Sequence, residues 1–487
     1  MNGIWLNIGC GRKHLKGYVN MDIVQPYDQK LDARSGLPFG DRTVDGVYSE
    51  HFFEHLTQAE GLAFLRECRR VLKPEGRIRI AMPDLDELVQ RYQSEDWRGE
   101  GDMFRLGFDW VVNRCEMLNF AMREWGHRHF YNEEELRRIT NLAGFRALGR
   151  FTNGNSEVAE FQGLETRPSS RLIMEFKPRS VLAKDAMPVV SVLIPAYKPE
   201  YFEKALNSAL QQDYPNLEVI VSDDSPDARI QDMVARVSDV RLRYVRNEPA
   251  NGQMKNYLSL IRLAKGEFLK YLNDDDVLSP DCVRLMVDAF RVEGIALVTS
   301  YHALIDSDGQ PMPDQVVNQP LFSKDMVIEG SSFAEKVLRF RINFIGEPSC
   351  IMFRKDDAVW VEPHPFAFGG YGRDRSGLAD VGLALNLLSQ GDAAYLSRPL
   401  SSIRISPLQW SNTSEARTWA LITWRHFLRH AVRLGLIKRR SLGWKLKCRT
   451  LEASATWQRV YKIDLRTLLL QARWMRDLIK EKLRGHV

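Results

Sequence analysis

Residues Val189–Pro195 read VVSVLIP, a nearly unbroken run of β-branched and aliphatic side chains. A strand with one wet face alternates polar and apolar residues. A continuous run has both faces buried, as in a parallel sheet covered by helices on each side. The residues that follow have the matching rhythm. A helix over Pro199–Gln212 leads to the strand Leu217–Ser222, a helix near Arg229–Val237 and the strand Arg241–Arg246. Next come a helix near Gln253–Ala264, the strand Phe268–Leu272, a helix over Pro280–Val292 and the strand Ile295–Tyr301. Residues 311–370 are less regular, and 378–390 form a short helix. An earlier round of the same alternation comprises the strand Ile4–Ile8, a glycine turn, Val44–Tyr48, an amphipathic helix Gln58–Leu72, a turn Lys73–Gly76 and the strand Arg77–Met82. It ends near Gly144–Arg150, with closing strands within Glu157–Phe176. Such alternation predicts parallel α/β sheets. Residues 177–188, KPRSVLAKDAMP, lack apolar periodicity and read as a linker. The expected organisation is two Rossmann-like α/β domains, residues 1–177 and 189–410, and a basic helical tail over 411–487.

Charge sets the tail apart. Residues 411–487 have a net charge of +13, and the other 410 residues sum to −8. The tail also holds five of the eleven tryptophans. Trp419, Trp424, Phe427 and Leu428 interleave with Arg417, Arg425, Arg429 and Arg433, and Lys438-Arg439-Arg440 follows. Leu465, Leu468, Leu469, Ala472, Met475 and Ile479 keep helical spacing. Two readings stand: an interfacial helix on anionic lipid, or helices packed on the body with their basic sides in water. No nucleic-acid-binding motif is present, so nucleic acid is not an expected partner. Six scattered cysteines form no C-x-x-C pair, which argues against a zinc ribbon or a disulfide framework. The amino terminus lacks a basic n-region, and no apolar stretch reaches ~18 residues. A cytoplasmic location is expected, either free or peripheral on the inner face of the cytoplasmic membrane.

In the first half, Leu6-Asn7-Ile8-Gly9-Cys10-Gly11 puts two glycines directly after a strand, where the backbone can approach a ligand. Asp22, in VNMDI, falls at the end of the next strand and can accept both hydroxyls of a ribose. Leu31-Asp32, Leu37-Pro38-Phe39, Asp45-Gly46-Val47-Tyr48-Ser49-Glu50-His51, Glu54-His55-Leu56 and Val71-Leu72-Lys73-Pro74-Glu75-Gly76 follow in order. This ordered set resembles the class I S-adenosylmethionine-dependent methyltransferases over about residues 4–150. The resemblance implies that Gly9 and Gly11 flank the methionine part of the cofactor, Asp22 binds the ribose and Asp32 sits by the adenine. Ser49, Glu50 and His51 would line the floor of that site. Gly126-His127-Arg128-His129 precedes Asn132 and Glu135, which fit an N-cap with a reciprocal partner. In similar methyltransferases a histidine here faces the substrate, which makes His127 and His129 candidate catalytic bases. The other reading is a loop braced by histidine hydrogen bonds. A metal is disfavoured, because the sequence places no third or fourth ligand beside the pair.

In the second half, three strands end in polar clusters: Pro195-Ala196-Tyr197, Ser222-Asp223-Asp224-Ser225 and Asn273-Asp274-Asp275-Asp276. Consecutive aspartates after a buried strand repel one another unless a cation sits among them. Hard divalent ions such as Mg²⁺ or Mn²⁺ choose such oxygen ligands and bridge to a diphosphate. These segments resemble the family 2 glycosyltransferases of the GT-A fold over about residues 189–405. The resemblance implies that Pro195, Ala196 and Tyr197 contact the nucleotide base, and Asp223 or Asp224 the base or ribose. Asn251-Gly252 with Lys255-Asn256 would belong to the same nucleotide-sugar site. Asn273–Asp276 falls at the D-x-D motif, with Asp275 the metal ligand, Asp276 beside it and Asp274 on the donor. Glu347 falls in the acceptor-side loop, Asp380 is the candidate catalytic base, and Arg404 lies where similar enzymes touch the diphosphate.

The expectation is a bifunctional transferase of bacterial surface-polysaccharide synthesis (O-antigen, capsule or lipopolysaccharide). One domain would transfer a sugar from a nucleotide-diphosphate donor with inversion, using Mg²⁺ or Mn²⁺, to a glycan acceptor that is free or lipid-linked. The other would methylate a glycan hydroxyl with S-adenosylmethionine. The alternative is a glycosyltransferase whose methyltransferase-like domain is a non-catalytic scaffold tethering it to a membrane assembly complex.

Overall fold

The structure is a computed structural model, and it describes residues 3–98, 108, 110–179, 182–183, 185–314, 318–358, 363–370, 378–405, 414–437, 445–451 and 458–461. The chain divides into two compact units, Met1–Ser180 and Val181–Val487.

The first unit is built on a seven-stranded sheet. Its strands are β1 (Trp5–Ile8), β2 (Val19–Asp22), β3 (Gln29–Lys30), β4 (Val44–Glu50), β5 (Leu72–Met82), β6 (Phe145–Arg150) and β7 (Leu172–Pro178), in the order β3-β2-β1-β4-β5-β7-β6. All neighbours are parallel except β7, which is antiparallel to both β5 and β6. Leu6, Ile8, Val44, Val47, Ile78 and Ile80 are buried and share one core with Leu62, Leu65 and Cys68 of the helix Gln58–Val71. The expected turn at Lys73–Gly76 lies inside β5. Val44 pairs with Leu72 but Gly46 pairs with Arg77, so the extra residues bulge out of the ladder without ending it. Phe145–Arg150 does not end the pattern; it is the edge strand of the sheet.

Among the described residues, the second unit has twelve strands in one sheet. They are β8 (Val190–Ala196), β9 (Leu217–Asp223), β10 (Leu242–Arg246), β11 (Phe268–Tyr271), β12 (Val277–Leu278), β13 (Ile295–Ile305), β14 (Pro311–Met312), β15 (Met326–Ile328), β16 (Ile351–Arg354), β17 (Asp392–Arg404), β18 (Lys445–Thr450) and β19 (Gln458–Tyr461). The main path runs β10-β9-β8-β11-β16-β13-β17-β15-β18-β19. Its first four strands are parallel, and all seven residues of β8 are buried, as the opening run requires. Beyond β11 the sheet is mixed.

The tail differs from the expectation as well. Helix Ser414–Arg433 buries Trp424, Phe427 and Ala431 in the core of the second unit, and Leu434, Leu436 and Ile437 follow them there. Lys445–Thr450 and Gln458–Tyr461 are strands, not helices, and β18 pairs with β15. Of the apolar residues that could meet lipid or the body, Trp424 and Phe427 are thus covered by protein and Leu428 packs against that core, while Trp419 stays 37% exposed. Lys438–Arg440 and Leu465–Ile479 lie outside the described residues. Among the described residues, no helix is long and apolar enough to cross a membrane.

Two candidate active sites

In each parallel sheet, ligands bind at the carboxyl ends of strands where the order turns back on itself. In the first unit that point lies between β1 and β4. Gly9 and Gly11 follow β1 with φ of +68° and +54°. A side chain on Gly9 would meet Phe52 at 2.6 Å, so only glycine fits. The Gly11 N–H donates to Asp22 Oδ2 at 2.8 Å and the Val24 N–H to Oδ1 at 3.0 Å, which fixes the carboxylate beside the glycine turn. Each oxygen keeps a second lone pair for a ligand. Asp32 is engaged differently. Arg34 donates to it from its backbone N–H, Nε and Nη2, which pulls the carboxyl down to about 2.

The residues expected on the floor divide. Ser49 is fully buried, and its hydroxyl has no hydrogen-bond partner among the described residues. Glu50 braces a loop: it accepts from the Thr166 N–H and Oγ1, the Arg167 N–H and Ser170 Oγ. Burial opposes its charge, but these donors hold its carboxyl below the ordinary range. Sequence reasoning missed this loop and the buried ion network beneath it. There Arg79 binds Glu165 at 2.7 Å and Glu175 at 2.7 Å, with all three side chains fully buried. A polar cavity of about 820 Å³ opens nearby, lined by Asp84, Arg150, Thr166, Arg167 and Arg171.

His51 adopts φ +50°, with Nδ1 3.3 Å from Glu54 Oε1 and Nε2 3.3 Å from Ser169 Oγ. His127 donates from Nδ1 to the Ala121 carbonyl at 2.8 Å, and its Nε2 lies 3.9 Å from Glu54 Oε1. Burial lowers the His127 pKa, disfavouring the charged ring. His129 instead lies 3.3 Å from Glu135 Oε1, so it braces the loop. Asn132 caps the following helix by accepting from the Glu135 N–H. The Glu135 side chain does not return the bond; it is held by Arg138 and Gln58. The reciprocal box sits elsewhere, at Thr57 and Glu60. The structure also overturns the expectation that His127 has no further ligands near it, because Glu54 and His55 lie beside it.

In the second unit the order turns between β8 and β11. Asp223 Oδ2 accepts from Tyr244 and Arg246, and its Oδ1 accepts from the Ser225 N–H. Asp224 accepts from the N–H groups of Asn251 and Gly252 and from Asn247 Nδ2. Asn256 is buried and donates to the Ser222 carbonyl. Ala196 is buried and its carbonyl accepts from the Asp224 N–H, whereas Tyr197 leaves 58% of its surface in water. Asp274 caps the end of β8 by accepting from the N–H groups of Tyr197 and Lys198, both at 2.6 Å, and burial pushes it up to about 6. Asp276 accepts from Ser349 Oγ at 2.6 Å, Asn273 Nδ2 and the Arg404 N–H. Burial, with Asp275 alongside, raises its carboxyl well above the ordinary range.

Asp276 is thus engaged inward. The Asp275 carboxylate lies 3.5 Å from Lys198 Nζ and close to Asp274, Asp276 and Glu347. Arg404 is 1% exposed. Its guanidinium donates to the carbonyls of Asp275, Asp306 and Ser307 and lies over the Tyr201 ring. It therefore braces the acidic turn through its backbone carbonyls. Glu347 is open to water but walled by protein. Those walls and the charges of Asp380, Asp276 and Asp275 raise its carboxyl. Asp380 lies in the first turn of helix Ala379–Leu388, whose N-cap is Leu378, so it is not a cap. Asn343 Nδ2 donates to it at 2.6 Å, and the packed surroundings push it up to about 6.

Parts of the chain are similar to known proteins. The chain is similar to "Chondroitin synthase" of Escherichia coli, 31% identical over 144 residues, covering 28% of this chain and 21% of that one. It is also similar to "UDP-Glc:alpha-D-GlcNAc-diphosphoundecaprenol beta-1,3-glucosyltransferase WfgD" of Escherichia coli, 25% identical over 121 residues, covering 25% of this chain and 48% of the relative. The chain thus spans less than half the length of either relative. Among solved structures, S. aureus TarS in complex with UDP-GlcNAc matches at 15% identity and a TM-score of 0.36, covering 50% of this chain and 73% of that one. The family models "Methyltransferase domain" and "Glycosyl transferase family 2" match residues 7–80 and 191–359. One chain therefore contains a methyltransferase domain followed by a glycosyl transferase family 2 domain.

Proposed function

We propose that the second unit transfers a sugar from a nucleotide-diphosphate donor to a bacterial surface glycan, free or lipid-linked, with inversion. The first unit would methylate a hydroxyl of the same or a related glycan. The observation that supports this most is the division of labour in the acidic cluster: Asp223, Asp224, Asp274 and Asp276 bind the protein itself, and Asp275, Glu347 and Asp380 remain for ligands. The exposed Tyr197 ring would stack on the base. Asp275 would hold a Mg²⁺ or Mn²⁺ ion together with the diphosphate oxygens, as suits a cation that takes one or two protein carboxylates. Bound there, the ion would offset the charge of the leaving diphosphate. Asp380 accepts the proton of the attacking hydroxyl, and Glu347 beside it binds the acceptor. A carboxylate with a pKa near 6 suits a base at neutral pH: it is ionised, yet basic enough to take the proton. In the first unit, S-adenosylmethionine would lie over Gly9 and Gly11 with its ribose on Asp22, supplying the methyl group. Of the two expected bases, His127 is the better placed.

The test is a panel of nucleotide sugars and labelled methyl donor offered with glycan acceptors. Asp275→Ala and Asp380→Ala should each abolish sugar transfer and leave methyl incorporation intact. Full sugar transfer by both variants with divalent cations chelated would defeat the reading. Calorimetry with S-adenosylmethionine separates the scaffold alternative, which predicts no binding at millimolar ligand.

A further inference from the structure

We infer that Glu54, His55 and His127 form a binding site in the first unit for one divalent transition-metal ion of the Zn²⁺ class. One ligand atom from each residue lies within 4.8 Å of the other two. The segments that bring them together are tied by backbone: the Glu54 carbonyl accepts from the N–H groups of Arg128 and His129.

Glu54 is 1% exposed, and neither of its oxygens accepts a well-formed hydrogen bond among the described residues. A buried carboxylate in that state needs a cation. His127 points the right atom at it. Its Nδ1–H is engaged by the Ala121 carbonyl, so Nε2 carries the lone pair, and the side chain is 6% exposed. That lone pair faces Glu54 Oε1 across 3.9 Å. Two electron-rich atoms so placed do not bond each other, but one ion about 2 Å from each would join them. His55 Nδ1 likewise lies 3.3 Å from the Gly126 carbonyl, which leaves its Nε2 as an acceptor. Carbonyls that fix imidazole tautomers in this way are the usual outer support of metal-binding histidines. His51 Nδ1, 3.3 Å from Glu54 Oε1, is the rival partner for the same carboxylate.

Two imidazoles and one carboxylate favour Zn²⁺, Co²⁺ or Fe²⁺ over Mg²⁺. Three protein ligands, not four, leave a position open to water or a hydroxyl. The site is separate from the acidic turn of the second unit in both residues and ligand type. It competes with the role of His127 as methyl-transfer base, because an Nε2 lone pair on an ion cannot also take a proton; ion binding is read directly, so the two can be told apart.

The experiment strips the full chain with chelator and titrates it with Co²⁺ under excess Mg²⁺, which occupies the oxygen-only sites. The expected result is one equivalent of Co²⁺ with visible ligand-field bands that Zn²⁺ displaces. Glu54→Gln and His127→Ala should each weaken binding by about 100-fold or more, at or beyond the top of the range known for losing an outer support. Asp275→Ala should leave the bands unchanged. Absence of the bands, their survival in both first-unit variants, or their loss in Asp275→Ala would overturn the site. Melting guards against misfolding. Zn²⁺ should raise the Tm of the parent protein but not of Glu54→Gln, and a parent Tm indifferent to Zn²⁺ also overturns it.

Discussion

Both units put their clefts at the same topological place, yet they furnish them in opposite ways. The first offers a glycine turn held to the carboxylate of Asp22 and the imidazole of His127, whose charged form burial disfavours. The second crowds seven carboxylates into one cleft and turns four of them inward, onto its own N–H groups, hydroxyls and side chains. The sheet thus dictates where a ligand goes, and the loops dictate what it is. Sulfonium chemistry needs no anionic pile-up; a diphosphate bridged by a cation does. Four of those seven carboxylates already hold protein donors, so each would offer a ligand only its remaining lone pairs.

That division is the easiest part of the comparison to break. Asp380→Asn keeps the shape and removes the base, so kcat for sugar transfer should fall about 10³-fold, within the range for general bases. Asp275→Ala should do as much. Asp223→Asn should instead act mainly on stability, by loosening Tyr244 and Arg246. If Asp223→Asn lost kcat as heavily while melting normally, the inward-outward distinction would fail.

The second largest effect belongs to the first unit, which has its own inward-turned charges. Arg79→Met leaves Glu165 and Glu175 buried without their cation. Breaking such a pair from one side costs about 3–5 kcal/mol. Chemical denaturation should show a loss of that size, and the Gly154 N–H, which Glu165 also holds, should loosen with it.

Much of the fold was legible because its signals are local. The burial of β8, the helix starts at Gln58 and Pro199 and the glycine turn after β1 follow from runs and spacings along the chain. What stayed hidden depends on distant pairing. The burial of Trp424 and Phe427 needs a core assembled from residues far away in sequence, and β18 exists only because β15 offers an edge. The candidate sites divide in the same way. Asp22 and Asp275 could be placed from strand ends. Glu50 could not, since its four donors come from residues 166–170. Arg404 looks like a ligand contact by position, but its partners are backbone carbonyls that no side-chain pattern announces.

A smaller effect separates the clefts by pH. The Asp380 carboxyl is raised to about 6. A base works only when ionised, so sugar-transfer kcat/KM should be flat above pH 6 and fall about tenfold per unit below it. Methyl transfer should keep its own pH profile in Asp380→Asn, since its proposed base is His127. A sugar-transfer profile flat down to pH 5 would remove Asp380 from the role.

The smallest expected change concerns how each cleft is anchored. Helix Gln58–Val71 begins just past His55, and Thr57 and Glu60 cap it reciprocally. Glu60 also receives Arg128 at 2.8 Å, which ties the cap to the segment bearing His127. Removing an N-cap hydroxyl costs about 1 kcal/mol, so Thr57→Ala should lower stability by that amount with little change in sugar transfer. Helix Ala379–Leu388 has no side-chain cap, and Asp380 sits in its first turn pressed by packing and like charge. Asp380→Asn should therefore cost no stability and can even raise the Tm, although it removes the activity. Opposite signs from two residues at two helix starts would mark one as scaffold and the other as chemistry. A matching loss from both would mean that Asp380 holds its helix and that the base lies elsewhere.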